Sequence, residues 1–367
     1  ESLHGEGGAA RGARRPARPG ARALDAVNVV ILNFRKGFAP LRDAFESLGF
    51  EVAQDVWTPP AELLARTRLC IVNLYEAARQ PLGAVRLKWS AARSRVPVIA
   101  LDRDAPWHMG LRRRRLLLLQ WLRPFDLYAT HTLQPTYEFA PVKIYNANAA
   151  WTRHFNLHGQ SLEAMRDAGF YALDVSFLGN MNGKRYKEHA LREAFFAELS
   201  QRLKPLGIRF LFSDSAGIAD EEQIRVTQRS RINLSYRSSC DHESDGSWGL
   251  PERCYGVPAR GGFLLSDARR HAADDFDLAS EWASYQGIDD CVGKIRYYLG
   301  HFEEARRIAE AAHARVMRQH TYEHRARNLI AEGTQPLDDI SVDAGHVLQE
   351  IRRMNHEGAG QLAAVAA

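Results

Sequence analysis

The sequence predicts an α/β protein of two Rossmann-like domains facing each other across a cleft, and three observations carry that expectation. Apolar runs typical of strands buried on both faces, beginning with AVNVVILNF at 26–34, recur between stretches of helical spacing. The alternation occurs twice, once before about residue 150 and again from DVSFLGNMNG at 174–183. At 367 residues the chain exceeds the length at which one hydrophobic core usually stops growing.

Taken in order, residues 1–24 are rich in Gly, Ala, Pro and Arg with no apolar period and read as a flexible lead-in without the apolar core of a secretory signal. The first domain is expected over 25–160. After its first strand, Phe38, Leu41, Phe45 and Leu48 recur at helical spacing, and EVAQDVW, RLCIVNLY, VPVIALD and FDLYATH repeat the strand theme up to VKIYNAN at 142–148. The turn Phe34-Arg35-Lys36-Gly37 lacks G-x-G-x-x-G, which argues against NAD or FAD. LRRRRLLLLQWLRPFDLY at 111–128 reads as a helix basic at one end and apolar around much of its circumference. It is either a core helix with a solvated cap or a peripheral membrane contact through 111–123. No segment approaches the about 20 apolar residues of a membrane span.

The second domain is expected over 161–332, with the strand at 174–183, the helical KRYKEHALREAFFAELSQRL, strands IRFLFSD, RINLSYR and GGFLLSD, and a helix-rich end. Over 333–367, Val342, Val347, Leu348 and Ile351 line one face of a final helix that returns to the first domain, or else form a loosely attached tail. In such a pair of domains, ligands bind beyond the carboxyl ends of the strands, so the cleft is the expected site.

With 45% hydrophobic and 25% charged residues, the chain has the make-up of a soluble globular enzyme. Cys70, Cys240, Cys254 and Cys291 are scattered and form no C-x-x-C pair, which argues against a disulfide framework or a cysteine zinc site and fits a reducing cytoplasm. The net charge of +5 suits an anionic partner such as nucleic acid, anionic lipid or a phosphorylated small molecule. His320 and His324 in HTYEH match H-x-x-E-H, a zinc-peptidase pattern, but no third ligand follows at a characteristic place.

RINLSYR, then PERCYGVPARGGFLLSD, then 291–330 with its KIRYYL and HTYEHR pieces, resemble the carboxy-terminal domain of the CgeB-like glycosyltransferases, a spore-maturation-named group of GT-B architecture. The resemblance covers about 174–330. It implies transfer of a sugar from a nucleoside-diphosphate sugar, held mainly by the second domain, to a saccharide, lipid-linked or protein acceptor held by the first. The nucleotide sugar is then a co-substrate, with no further cofactor, no metal and no nucleic acid. The expected place of action is the cytoplasm, from the cysteine usage, with the 111–123 segment as the alternative that would bring the chain to the inner face of the membrane. A catalytically impaired GT-B-like binding subunit and a nucleotide-sugar epimerase are the alternatives.

A departing diphosphate develops negative charge, which helix amino termini, backbone N–H groups and Arg or Lys can offset. In FLGNMNGKRYKEH, Gly179 and Gly183 allow close backbone approach, and Arg185 and Lys184 stand where a phosphate would sit. Arg253 matches an arginine that recurs in the family motif, and Gly261 and Gly262 match its glycine turn. Asp245, Ser247 and Trp248 form a loop suited to cover a base or sugar. In this alignment Gly256 and Trp248 replace the two acidic residues of the family pattern, while Glu252 lies one helical turn before Gly256 and could reach a similar place. The first domain is expected to supply any catalytic base. Asp104 and His108 lead, followed by Asp102, all at the end of the VPVIALD strand, with His131 a weaker candidate and helix-capping turn residues the alternative.

Overall fold

A computed structural model describes residues 28–334 except 36, 105–110, 134–136, 185–186, 239–240 and 242–247. The lead-in at 1–24 and nearly all of 333–367 therefore lie outside the described residues.

The first half runs β1 (Val29–Asn33), α1 (Ala39–Ser47), β2 (Glu51–Gln54), α2 (Ala61–Leu64), β3 (Thr67–Asn73), α3 (Leu74–Arg79), α4 (Pro81–Arg93), β4 (Val98–Asp102), α5 (Arg113–Leu122), β5 (Leu127–Thr130) and β6 (Val142–Tyr145). Its six strands are parallel in the order β2-β1-β3-β4-β5-β6. Every residue of the central strands β1 and β4 is buried, whereas β2, at the edge, is open at both ends. Alternate residues of β1 serve opposite faces. Ile31 packs with Val72, Leu87 of α4 and Leu116 of α5, while Val30 and Leu32 pack with Leu41 and Phe45 of α1.

The second half runs β7 (Leu173–Leu178), α6 (Lys187–Leu203), β8 (Phe210–Ser213), α7 (Asp220–Gln228), β9 (Ser230–Ser235), α8 (Arg253–Ala259), β10 (Leu264–Asp267), α9 (Ala272–Asp275), β11 (Ala283–Tyr285), α10 (Gly287–Gly300), α11 (Phe302–Gln319) and α12 (Tyr322–Gly333). The sheet order is β11-β10-β9-β7-β8, again parallel, so each half is an α/β layer structure of the expected class.

A helix of the second half, α12, inside the span assigned to the second domain, packs on the first sheet: Tyr322, Ala326 and Leu329 are buried with Val30, Leu32 and Phe45. The two crossings of the chain are pinned together. Ala150 N–H donates to the His320 carbonyl at 2.9 Å, Tyr322 N–H donates to the Ala150 carbonyl at 3.1 Å, and Arg325 Nε donates to the Ala147 carbonyl at 2.9 Å. This hinge fixes how the carboxyl ends of the two sheets face one another.

Candidate functional site

A cleft of about 440 Å³ opens between the halves. Arg103 and Asp104, just past β4, line it with Asn148 and Phe155 from the connecting segment. Opposite stand Gly179 and Asn180 past β7, Arg192 on α6, and Glu252, Arg253, Gly256 and Arg260 around α8.

The second-domain wall concentrates positive charge. Arg192, 3% exposed, donates to the carbonyls of Tyr236 at 3.1 Å, Arg237 at 2.6 Å and Asn180. Arg253 lies over the Phe177 ring and donates to Ser235 Oγ and to the same Arg237 carbonyl, each at 3.2 Å. Arg237 has a left-handed backbone (φ 45°), so an uncommon conformation holds the oxygen that both guanidinium groups share. Gly179 makes room for this arrangement, because a Cβ there would stand 2.9 Å from Arg253 Nη1. Arg260, 4% exposed, stacks on Phe155 at 4.7 Å and donates to Thr227 Oγ1 at 3.3 Å, and its Nε is buried without a hydrogen-bond partner.

Among the described residues, no carboxylate lies within ion-pair distance of Arg192, Arg253 or Arg260. Burial pushes Arg192 down to about 9, helped by Arg253 and Arg269, and pushes Arg260 down to about 10 against the pull of Asp220. Burial also lowers Arg253, although Cys254 opposes it. A desolvated guanidinium without a counter-charge is costly, and a bound anion relieves that cost.

The other end of the cleft is differently charged. Arg103 lies over Phe38 and donates to Asn148 Oδ1 at 3.2 Å and to the Tyr322 hydroxyl at 3.1 Å, with its Nη2 4.0 Å from Glu252 Oε2. Burial alone would lower this guanidinium, but Tyr322, Glu252 and Asp104 outweigh it and hold it above its usual value. Burial raises the Glu252 carboxyl, Arg103 opposes the rise and Asp104 adds to it. The Arg103 and Glu252 pair thus joins the two domains across the cleft.

Several residues singled out in the sequence stand elsewhere. Asp102 is buried behind the wall, accepting from the Tyr128 hydroxyl at 3.0 Å, Thr130 Oγ1 at 3.2 Å and Asp104 N–H at 3.1 Å. His131, also buried, has Nδ1 3.9 Å from Asp102 Oδ1 and packs beneath Gly249. Lys184 is exposed, with its N–H on Asn182 Oδ1 at 3.1 Å, and does not line the cleft. Trp248 lies under Arg270, 4.2 Å from ring centre to guanidinium carbon, and beside His271. Gly261 (φ 77°) and Gly262 form the turn behind α8, where a Cβ would come within 2.7 Å of Met165 Sδ or 2.9 Å of Asn233 Nδ2. His108, Arg185, Asp245 and Ser247 lie outside the described residues. Gly179, Glu252, Arg253 and Asp104 are the named candidates brought together in one cleft.

The two histidines of H-x-x-E-H serve structure. His320 packs on Phe276 and bonds Arg325 at 3.0 Å, and burial pushes it down to about 4. His324 Nδ1 belongs to the amino-terminal cap of α12, 2.8 Å from Thr321 Oγ1.

Arg103, Arg192, Arg260 and Phe155 were missed from sequence. Arg192 carried a signal: it occupies the i, i+4, i+7, i+11 stripe with Phe196, Leu199 and Leu203, a charge on a buried helix face. Arg260 lay unremarked inside the PARGG turn, and Arg103 between two aspartates.

Two parallel Rossmann-like sheets facing across a cleft, with a helix returning from the second half to the first, define the GT-B architecture. Residues 152–331, just under half of the chain, match the family model described as glycosyl transferase-like. Among solved structures, sucrose-phosphate synthase from Thermosynechococcus elongatus is similar at a TM-score of 0.55 and 10% identity, over 82% of this chain and 97% of that one. A UDP-forming α,α-trehalose-phosphate synthase from Burkholderia xenovorans gives 0.53 and 9%, over 86% and 99%. Anabaena HepE in complex with UDP-glucose gives 0.51 and 14%, over 83% and 98%. No curated protein matches the chain.

Proposed function

We propose that the protein is a glycosyltransferase that moves a sugar from a nucleoside-diphosphate sugar to an acceptor hydroxyl. The observation that carries this reading is a set of three arginines on one wall of a GT-B cleft, Arg192 and Arg260 buried and Arg253 half-buried, with no described carboxylate within ion-pair distance of any of them. Their charge is placed to hold a diphosphate and to stabilise it as the bond from its oxygen to the anomeric carbon breaks. Gly179 allows the backbone past β7 to approach the same group, and Phe155 offers a ring face at the Arg260 end.

On the first-domain wall, Asp104 is our choice for the base that takes the acceptor proton, and Arg103 with Glu252 orients the acceptor. Asp102 acts through Asp104 by accepting its N–H. Within this class, the RINLSYR, PARGG and HTYEHR pieces support a CgeB-like member. The acceptor is a saccharide, lipid-linked or protein hydroxyl, and the scattered cysteines and basic α5 favour the cytoplasm beside the inner membrane face.

A thermal-shift series with UDP, GDP and dTDP tests the donor site, since a ligand that binds only the folded chain raises its apparent stability. A rise in midpoint with one diphosphate, and release of that diphosphate from its sugar when acceptor is present, is the expected result. Binding without turnover would point to a binding subunit, and no shift with any nucleotide would overturn the reading.

A further inference from the structure

The outer face of α4 and α5 is built the opposite way from an ordinary surface. Both helices pack on the same side of the first sheet, α4 through Ala84, Leu87 and Ala91 and α5 through Leu116 and Leu119. On the side of each helix away from the sheet, where charged residues normally stand, are large apolar ones. Trp121 is 79% exposed and Trp89 67%, and Leu82, Leu117 and Leu118 are also exposed.

The charged residues of this face share one sign. Arg86 and Arg93 lie along the same stripe as Leu82 and Trp89, and Arg112 to Arg115 open α5. Neither α4 nor α5 contains an Asp or Glu. Arg86, Arg93 and Arg112 to Arg115 are without an ion pair to any described carboxylate. No helix of the described residues is long and apolar enough to cross a membrane, so the patch lies on a surface rather than in a span.

We infer that this face docks on an anionic lipid bilayer, with Trp121, Trp89 and the leucines entering the headgroup region and the arginines meeting lipid phosphates. Tryptophan favours that depth because its ring is apolar and its N–H is polar. Charge complementarity selects the occupant, since a second copy of this chain would bring equally basic helices against these. The arginine end of α5 follows β4 and so lies at the carboxyl edge of the sheet, the edge that bears Arg103 and Asp104. A docked molecule therefore keeps its cleft beside the bilayer.

The inference is independent of the transferase reading, and vesicle co-sedimentation of the full chain tests it. The chain is expected to sediment with vesicles of phosphatidylcholine and phosphatidylglycerol in equal parts, to remain free of phosphatidylcholine alone, and to show blue-shifted tryptophan emission when bound. Arg114→Gln should weaken binding roughly fivefold, the effect of one basic residue near an anionic surface. Trp121→Ser should weaken it further and remove most of the emission shift. Thermal melting of each variant without vesicles checks that the fold is intact. Absence of binding to either vesicle by a folded chain overturns the inference, as does a concentration-dependent dimer that Trp121→Ser converts to monomer. Neither outcome depends on nucleotide binding, so the two readings fail separately.

Discussion

The Phe155 ring lies directly on Gly256, so close that a Cβ at this glycine would meet ring atom Cε1 at 2.6 Å. The ring in turn carries the Arg260 guanidinium. An aromatic and an arginine thus fill the space beside α8 into which a longer residue at 256 would project. The position at which the resemblance implies an acid is therefore a packed wall rather than a gap. Gly256→Glu is expected to destabilise the fold by about 1–3 kcal/mol through overpacking, and Phe155→Ala in the same chain should recover part of that loss. Chemical denaturation of the single and double variants checks both statements, and an additive double variant would contradict the contact.

Among the described residues, Arg253 donates two side-chain hydrogen bonds, to Ser235 Oγ and the Arg237 carbonyl. Replacing it with Met keeps much of the stem over Phe177 while removing a half-buried positive charge. Stability without ligand should change little, because the lost hydrogen bonds are offset by the removed desolvation cost. Affinity for a nucleoside diphosphate should fall roughly ten- to hundredfold, the worth of a charge-assisted hydrogen bond. Calorimetric titration of Arg253→Met against nucleoside and nucleoside diphosphate separates these: the diphosphate should suffer and the nucleoside should not.

The layer architecture was legible in the sequence because strands such as VVILN and VIALD are buried along their whole length and helices show their stripes. The return of α12 was not legible, since an amphipathic stripe records that a face is buried and not against which sheet. The site was legible where glycine or a motif marked it, at Gly179 and Arg253. It was hidden where a charge reaches the cleft from within a helix, at Arg192, or where an aromatic ring reaches it from a connecting segment, at Phe155. Strand-end position alone did not separate Asp104, which faces the cleft, from Asp102, which the Tyr128 and Thr130 hydroxyls hold beneath it.

That separation leads to a kinetic expectation. Asp104→Asn should lower the transfer rate by about a hundredfold or more, the usual contribution of a positioned base, while leaving diphosphate affinity within about twofold because the Asp104 backbone contact to Asp102 survives. Asp102→Asn should instead reduce thermal stability, because it disturbs three hydrogen bonds at once, two of them buried. Steady-state rates together with melting curves decide the assignment, and a fully active Asp104→Asn enzyme would remove Asp104 from the mechanism.

The hinge is expected to set the acid limit of the fold. His320 sits among Phe276, Tyr255, Arg325 and Asp275, and burial pushes its imidazole from about 6.5 down to about 4, with Arg325 adding to the fall and Asp275 opposing it. The folded chain therefore binds this proton less readily than the unfolded chain does. Between those two values the unfolded state holds more protons, so stability falls as the pH drops below about 6.5 and stops falling on this account below about 4. The full shift corresponds to a loss on the order of 3 kcal/mol. His320→Gln, which cannot titrate, should show a flatter stability profile over this window and a lower stability than the parent chain at pH 7. Denaturant midpoints measured between pH 7 and pH 4 check the prediction, and parallel profiles for the two proteins would show that His320 does not set the limit.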